Sequence, residues 1–216
     1  MKLLQNFLFS EQSEESKVLE LKAKNAYFLL RHGETPYQLK KEKIHYPWPE
    51  SSPILLTERG KKQIEILAKK LKQENIDLIF SSDIPRAHQT AKIMAKELGL
   101  KVNLDLRLRD INYGIYHGRP RKEFYRDFPD EEERFYKAPK NGESWSDCKK
   151  RMLDFIKEID KKYQGKKILI IAHGDPLWLL EGMIKDKTNG ELLKEKMEEK
   201  IIKVGELRIL SAKISA

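Results

Sequence analysis

Two short apolar runs, far apart in the chain, both break off at His-Gly. The first is Tyr27-Phe28-Leu29-Leu30-Arg31-His32-Gly33-Glu34-Thr35 and the second is Ile168-Leu169-Ile170-Ile171-Ala172-His173-Gly174. A run of this kind that ends on glycine reads as a buried, parallel strand giving out into a loop. In open α/β sheets, ligands sit in the crevice beyond such strand ends. The two runs therefore predict a single crevice where two imidazoles and an arginine converge, a setting suited to phosphate.

The intervening segments read as strand, helix, strand, helix. With Thr57 available as N-cap, Ile64, Leu67, Ala68 and Leu71 follow the stripe of an amphipathic helix. Asp77-Leu78-Ile79-Phe80-Ser81-Ser82 is a short strand with a polar end, and Ala87, Ala91, Met94, Ala95 and Leu98 mark a helix closed by Gly99 as C-cap. Leu104 to Gly118 reads as a strand edge followed by a Gly-rich loop. Residues 119–141, highly charged and carrying Phe124, Tyr125, Phe128 and Tyr136, read as a helical flap over the crevice. Ser144 can cap a long helix with Trp145, Cys148, Met152, Phe155, Ile156 and Ile159 facing inward, ending near Gly165. Pro176 suits the first turn of a helix after the second His-Gly, and Glu206 to Ser215 reads as a last strand at an edge. Residues 1–25 form a polar lead-in and residues 26–216 a single domain. The apolar stretch within Met1 to Ser10 is too short for a signal peptide core or a membrane span, so it reads as an extension packed on the domain or a weak interaction helix.

At 216 residues the chain suits one domain. Lys plus Arg total 43 against 34 Asp plus Glu, a formal charge of +9, which favours acidic partners such as phosphorylated metabolites, phosphoproteins or nucleic acid. The lysine pairs Lys61-Lys62, Lys69-Lys70, Lys149-Lys150 and Lys166-Lys167 are interleaved with Glu, as on solvated faces, and no zinc-finger spacing or RNA-binding aromatic motif is present. A small phosphorylated molecule is therefore the expected partner, with no nucleic acid and no membrane. Cys148 is the single cysteine, so no disulfide forms within the chain, a Cys-based metal site is excluded, and a reducing cytoplasm fits.

Phosphoryl transfer through histidine needs a neutral imidazole to attack, positive donors for the phosphoryl oxygens and an acid for the departing alkoxide. His32 is the candidate nucleophile: it follows a strand, Arg31 beside it disfavours imidazolium, and Gly33 permits close approach. Its other nitrogen is expected to donate to a backbone carbonyl, fixing the tautomer. Arg31 and Arg86 offer planar forks for phosphate oxygens, and His173 a further donor. Arg86 follows Ser81-Ser82-Asp83-Ile84-Pro85 at the start of a helix, where free amides favour an anion. Taken singly, a His-Gly after a strand is more often a turn, and Arg31 alone is explained by a surface carboxylate.

The joint pattern changes that weighting. Arg31-His32-Gly33-Glu34-Thr35, Leu56-Thr57-Glu58-Arg59-Gly60, Ser81-Ser82-Asp83 with Arg86-Ala87-His88-Gln89-Thr90-Ala91, Gly142-Glu143-Ser144 and Ala172-His173-Gly174 occur in one order. Over about Tyr27 to Trp178 the chain resembles the histidine phosphatase superfamily, its phosphoglycerate mutase-like branch. The resemblance implies an α/β fold, a three-layer α/β/α sandwich with a mostly parallel central sheet. It further implies a phosphohistidine on His32, phosphate contacts from Arg31, Arg86 and His173, and no metal or other cofactor.

Two departures stand out. Relatives usually place Glu in the loop aligned with Leu108-Arg109-Asp110-Ile111-Asn112-Tyr113-Gly114; here the acid is Asp110, one methylene shorter. A bound phosphate dianion raises a neighbouring carboxyl and keeps such an acid protonated. The other reading of Asp110 is capping, or pairing with Arg109 or Arg107, with Asp175 and Glu143 as reserve acids. The second departure is Tyr37-Gln38 where mutase-like members carry Trp-Asn. Thr35, Gln38, Tyr113 and Arg121 are the expected substrate contacts. His117 reads as a surface histidine, His45 and His88 as ordinary polar positions, and the segment around Trp48 as a loop wall.

The expected function is that of a metal-independent phosphomonoesterase acting through phosphohistidine, with His32 and Asp110 catalytic. A mutase-like isomerase is the alternative. That chemistry usually goes with a longer insertion carrying adjacent arginines, whereas Arg119, Arg121, Arg126 and Arg134 include no adjacent pair. A catalytically weak module that binds phosphorylated ligands is the third reading. The substrate and the oligomeric state are not encoded in any motif.

Overall fold

In the computed structural model, residues 23–210 are described. Five strands, β1 (Ala26–Arg31), β2 (Leu78–Ser81), β3 (Val102–Leu104), β4 (Lys167–Ala172) and β5 (Leu207–Leu210), form one sheet in the order β3-β2-β4-β1-β5. All neighbours run parallel except β5, which is antiparallel to β1. The two strands that precede the His-Gly motifs are adjacent, with Leu30 opposite Ile171 and Arg31 opposite Ala172. Both motifs consequently leave the sheet at the same edge, side by side.

Side chains alternate between the faces of a strand, and both faces of β1 and β4 are covered. Phe28, Leu30, Leu169 and Ile171 pack with Ile64, Ala68, Ala87, Ala91 and Met94 of helices α2 (Glu58–Leu71) and α3 (Pro85–Leu98). Tyr27, Leu29, Ile168 and Ile170 pack with Met152, Phe155, Ile156, Leu177 and Leu180 of α5 (Trp145–Lys162) and α6 (Gly174–Ile184). The molecule is thus a three-layer α/β/α sandwich, and the near-continuous apolar runs follow from burial on both faces. A fully buried Leu, Ile or Phe contributes about 1.5–3 kcal/mol relative to exposure, so this double covering fixes the strand ends that carry the motifs.

Helix ends follow the capping residues. Thr57 Oγ1 accepts from Gly60 N at 2.9 Å, Ser144 and Asp147 form a capping box on α5, and Gly99 closes α3 at φ +69°. Helix α5 ends at Lys162, where Tyr163 turns extended; Gly165, at φ +66°, then leads into β4. β3 ends at Leu104 rather than beginning there, and two 3₁₀ turns, Leu106–Leu108 and Gly114–Tyr116, occupy the Gly-rich stretch. Residues 119–141 contain α4 (Arg121–Asp127) and a 3₁₀ turn, Glu133–Phe135. Two helices lie outside the periodicity reading: α1 (Pro36–Leu39) and α7 (Asn189–Met197), the latter opened by a Thr188–Glu191 capping box. The expected amino-terminal extension up to residue 22 and the end of the last strand beyond Leu210 lie outside the described residues. Among the described residues no helix is long and apolar enough to cross a membrane.

Candidate active site

The ends of β1 and β4 bring the two imidazoles together. His32 and His173 are 1 % and 0 % exposed, with ring centroids 5.3 Å apart, and His32 N donates to Ala172 O at 3.1 Å. Nδ1 of His32 lies 2.8 Å from Gly33 O. Nδ1–H donating there leaves the Nε2 lone pair free. Burial, and then Arg86, His173 and Arg31, hold His32 well below the usual imidazole range; burial and the same arginines do so for His173. Both rings are neutral near pH 7. The loop carrying His32 is clamped to the start of α2, where Thr57 Oγ1 donates to Glu34 Oε1 at 2.7 Å and Thr57 N to Glu34 O at 2.8 Å.

Arginines frame this pair. Arg31 Nη1 donates to Ile202 O at 2.9 Å. Arg86 stacks its guanidinium 3.6 Å from the Tyr46 ring centroid, and its two outer nitrogens reach Glu50 Oε1 and Asp110 Oδ2, each at 3.0 Å. Within the described residues Arg31 Nε, Arg86 Nε and His173 Nδ1 are buried and have no hydrogen-bond partner. Buried polar atoms without partners cost about 1–3 kcal/mol each. Nitrogens of His45, Arg121 and Trp178 are likewise buried without partners among the described residues, and His45 and Arg121 share the cavity wall; this surplus of donors beside a neutral imidazole suits a group with several acceptor oxygens.

Arg31, His32, Arg86, Asp110 and Glu50 line a cavity of about 400 Å³, with His173 directly behind, its Nδ1 3.7 Å from Asp110 Oδ2. Ser82 Oγ lies 3.0 Å from His173 Nε2. Asp110 thus faces the cavity; it pairs with Arg86 rather than with Arg107, which binds Asp105 and Glu158, or Arg109, which binds Asp83, and its Oδ1 accepts from Ile111 N at 3.0 Å. Both reserve acids also line the cavity: Glu143 is bound to Arg151 at 2.6 Å, and Asp175 accepts from Tyr113 OH at 2.7 Å.

The expected substrate contacts divide. Tyr113 and Arg121 line the cavity, but Thr35 and Gln38 do not. Their polar atoms are consumed locally: Gln38 Oε1 accepts from Thr35 N and from Thr35 Oγ1, both at 2.8 Å, in the capping box of α1, and Gln38 Nε2 donates to Tyr46 OH at 2.8 Å. Two histidines also differ from expectation. His45 is 2 % exposed on the cavity wall against Tyr113, and burial, then Arg121 and His117, push it down to about 4. His117 is a second wall residue, held between Tyr46 O and Asn112 Oδ1. The loop around Trp48 does form a wall. Glu50 within it, and Lys196 from α7 with its ammonium 4.0 Å from the Trp145 ring centroid, were not singled out by any motif. Among the described residues no group of three or more His, Cys, Asp or Glu has an arrangement that could hold a metal ion.

Comparison with known proteins places this geometry. The model of the histidine phosphatase superfamily (branch 1) matches residues 27–202. A Yersinia enterocolitica protein named as a probable phosphoglycerate mutase is 33% identical over 162 residues, 71% of each chain. Phosphoserine phosphatase 1 of Hydrogenobacter thermophilus is 30% identical over 127 residues, 56% of this chain; the match spans 60% of that protein's length. Among solved structures, Bacillus stearothermophilus YhfR superposes with a TM-score of 0.72 at 26% identity, covering 87% of this chain and 91% of that one. A mycobacterial glucosyl-3-phosphoglycerate phosphatase, solved with VO3, gives a TM-score of 0.72 at 24% identity over 86% and 90% of the two chains.

Proposed function

Because the chain belongs to the histidine phosphatase superfamily (branch 1), we propose that it is a phosphomonoesterase that hydrolyses a small phosphorylated substrate through a phosphohistidine on His32. The observation that carries this reading is the trio of buried, unpartnered nitrogens, Arg31 Nε, Arg86 Nε and His173 Nδ1, around a neutral imidazole. His32 Nε2 attacks phosphorus, forming the N–P bond as the P–O bond to the leaving group breaks. The Asp110 carboxyl gives its proton to the departing oxygen. Water then attacks phosphorus and loses a proton to the Asp110 carboxylate, and the N–P bond breaks to release inorganic phosphate. Arg31, Arg86 and His173 hold the equatorial oxygens, where charge accumulates.

The name of the Yersinia relative keeps an isomerase in view. Hydrolysis is favoured because the flap supplies few free cations. Arg119 faces Glu123, Arg126 pairs with Asp127 and Arg134 with Glu131, leaving Arg121 as the one flap arginine without a carboxylate partner among the described residues. A lid that must hold a phosphoenzyme against water needs more fixed charge than this.

The test is rapid quench of a labelled phosphoryl donor into alkaline denaturant, with phosphate release assayed across sugar phosphates, phosphoglycerates, nucleotides and phosphopeptides. A label on the wild type, absent from His32→Ala while phosphate still binds, is expected. Phosphate release with no trapped label would overturn the covalent route, and label transfer between positions of a phosphoglycerate without release would favour the isomerase.

A further inference from the structure

Arg86 is gripped by two carboxylates, and the two are dressed alike. Asp110 Oδ1 accepts from Ile111 N at 3.0 Å while Oδ2 takes Arg86 Nη2 at 3.0 Å. Glu50 Oε2 accepts from Ile54 N at 2.8 Å while Oε1 takes Arg86 Nη1 at 3.0 Å. The Glu50 side chain is 5% exposed, against 25% for Asp110. Each acid therefore has one oxygen tied to a backbone amide and the other one hydrogen bond from the guanidinium proposed to grip the phosphoryl group.

Charge makes this arrangement informative. His32 and His173 are neutral, and both outer nitrogens of Arg86 are taken by the Glu50 and Asp110 carboxylates. A phosphoryl dianion that takes Arg86 as its partner is set directly against these two carboxylates, while Arg121 and Lys196 add positive charge elsewhere on the cavity wall. A dianion held beside carboxylates that share its guanidinium partner favours the protonated form of one of them. The groups facing Glu50 are Arg86 from α3, Tyr46 stacked on the same guanidinium and Asp110 across it.

We propose that Glu50 is a second proton-transfer carboxylate of this site, so that the leaving oxygen draws its proton from an Arg86-bridged pair of Glu50 and Asp110. This rests on the phosphatase reading above. The balance is unchanged: the protonated carboxyl of the pair gives one proton to the alkoxide as the P–O bond breaks. The same pair recovers one proton from water as the N–P bond breaks.

The experiment compares kcat/KM for an alkyl phosphate and for p-nitrophenyl phosphate in wild type, Glu50→Gln, Asp110→Asn and the double variant. Gln keeps one acceptor where Glu50 uses two, for Arg86 and for Ile54 N, so any lost positioning slows both esters alike, whereas a lost proton slows the alkyl ester alone. Each single variant is expected to lose roughly 10-fold on the alkyl ester with little change on the aryl ester. The double variant is expected to lose about 10²–10⁴-fold on the alkyl ester, the range for a missing general acid. Glu50→Gln unchanged on the alkyl ester, or equally slow on both esters, overturns the proposal. Label trapped on His32 from p-nitrophenyl phosphate in that variant shows that the phosphatase reading survives such a failure. Should Glu50→Gln not fold, proton uptake on tungstate binding, measured calorimetrically in two buffers, decides. About one proton taken up by wild type and by Asp110→Asn alike supports the pair; none, or uptake lost with Asp110, refutes it.

Discussion

Alanine at Gly174 tests how closely the two His-Gly motifs are fitted to each other. A Cβ there would stand 3.1 Å from both Cζ and Nη1 of Arg31 and 3.4 Å from Nη2, so the guanidinium must give by a few tenths of an ångström. It has little freedom to do so: Arg31 is half-buried, its Nε is wholly enclosed, and Nη1 is anchored on Ile202 O at 2.9 Å. A hydrogen bond to a charged group is worth about 1.5–3 kcal/mol, and each ~1.4 kcal/mol is tenfold. Loss of one Arg31 contact to the phosphoryl group thus lowers kcat/KM by about 10- to 150-fold. Gly174 opens α6, and in a helix alanine is better than glycine by up to about 1 kcal/mol, so the melting temperature is expected to hold or rise slightly. Phosphate-release kinetics, the inhibition constant of inorganic phosphate and a thermal melt read all three quantities. Unchanged kinetics and inhibition at an unchanged melting temperature would refute the close fit. A melting temperature lowered by many degrees would mean that backbone, not the guanidinium, takes the strain.

Two further perturbations follow from the same geometry. Gly60→Ala places a Cβ 2.4 Å from Glu34 O and 2.9 Å from Glu34 N, a backbone clash that is expected to cost about 1–3 kcal/mol; Gly190→Ala, whose nearest contact is at 4.0 Å, is the stable control in urea unfolding. Equal midpoints for the two would contradict the packing of α2 on the motif loop. Because His32 and His173 lie well below the unfolded value of about 6.5, the unfolded chain binds protons first as pH falls. Stability is therefore fully present above about pH 6.5 and declines below it. Imidazole resonances that titrate near 6.5 in the folded protein would remove the neutral nucleophile.

Much of this architecture was legible because local and global signals agree. The apolar runs of β1 and β4 are buried on both faces, and Thr57, Ser144 and Gly99 cap the helices their positions suggest. The cradle residues Arg31, His32, Arg86 and His173 lie at element ends, where sequence punctuation marks them. The loop around Trp48 was legible as a wall, but which of its side chains face the cavity, His45 and Glu50 among them, was not, and Lys196 reaches it from a helix carried by no motif. Thr35 and Gln38 show the reverse: adjacency to the motif suggested substrate, whereas in the fold a capping box holds their polar atoms away from the cavity.

The guanidinium of Arg31 rests on the carbonyl of Ile202, 171 residues further along the chain, and Gly205 N donates to the carbonyls of Arg31 and His32. On a polypeptide made from its amino end, the surroundings of Arg31 and His32 are therefore completed late, after nearly all of the sandwich exists. A nascent chain would carry the histidine long before it could use it.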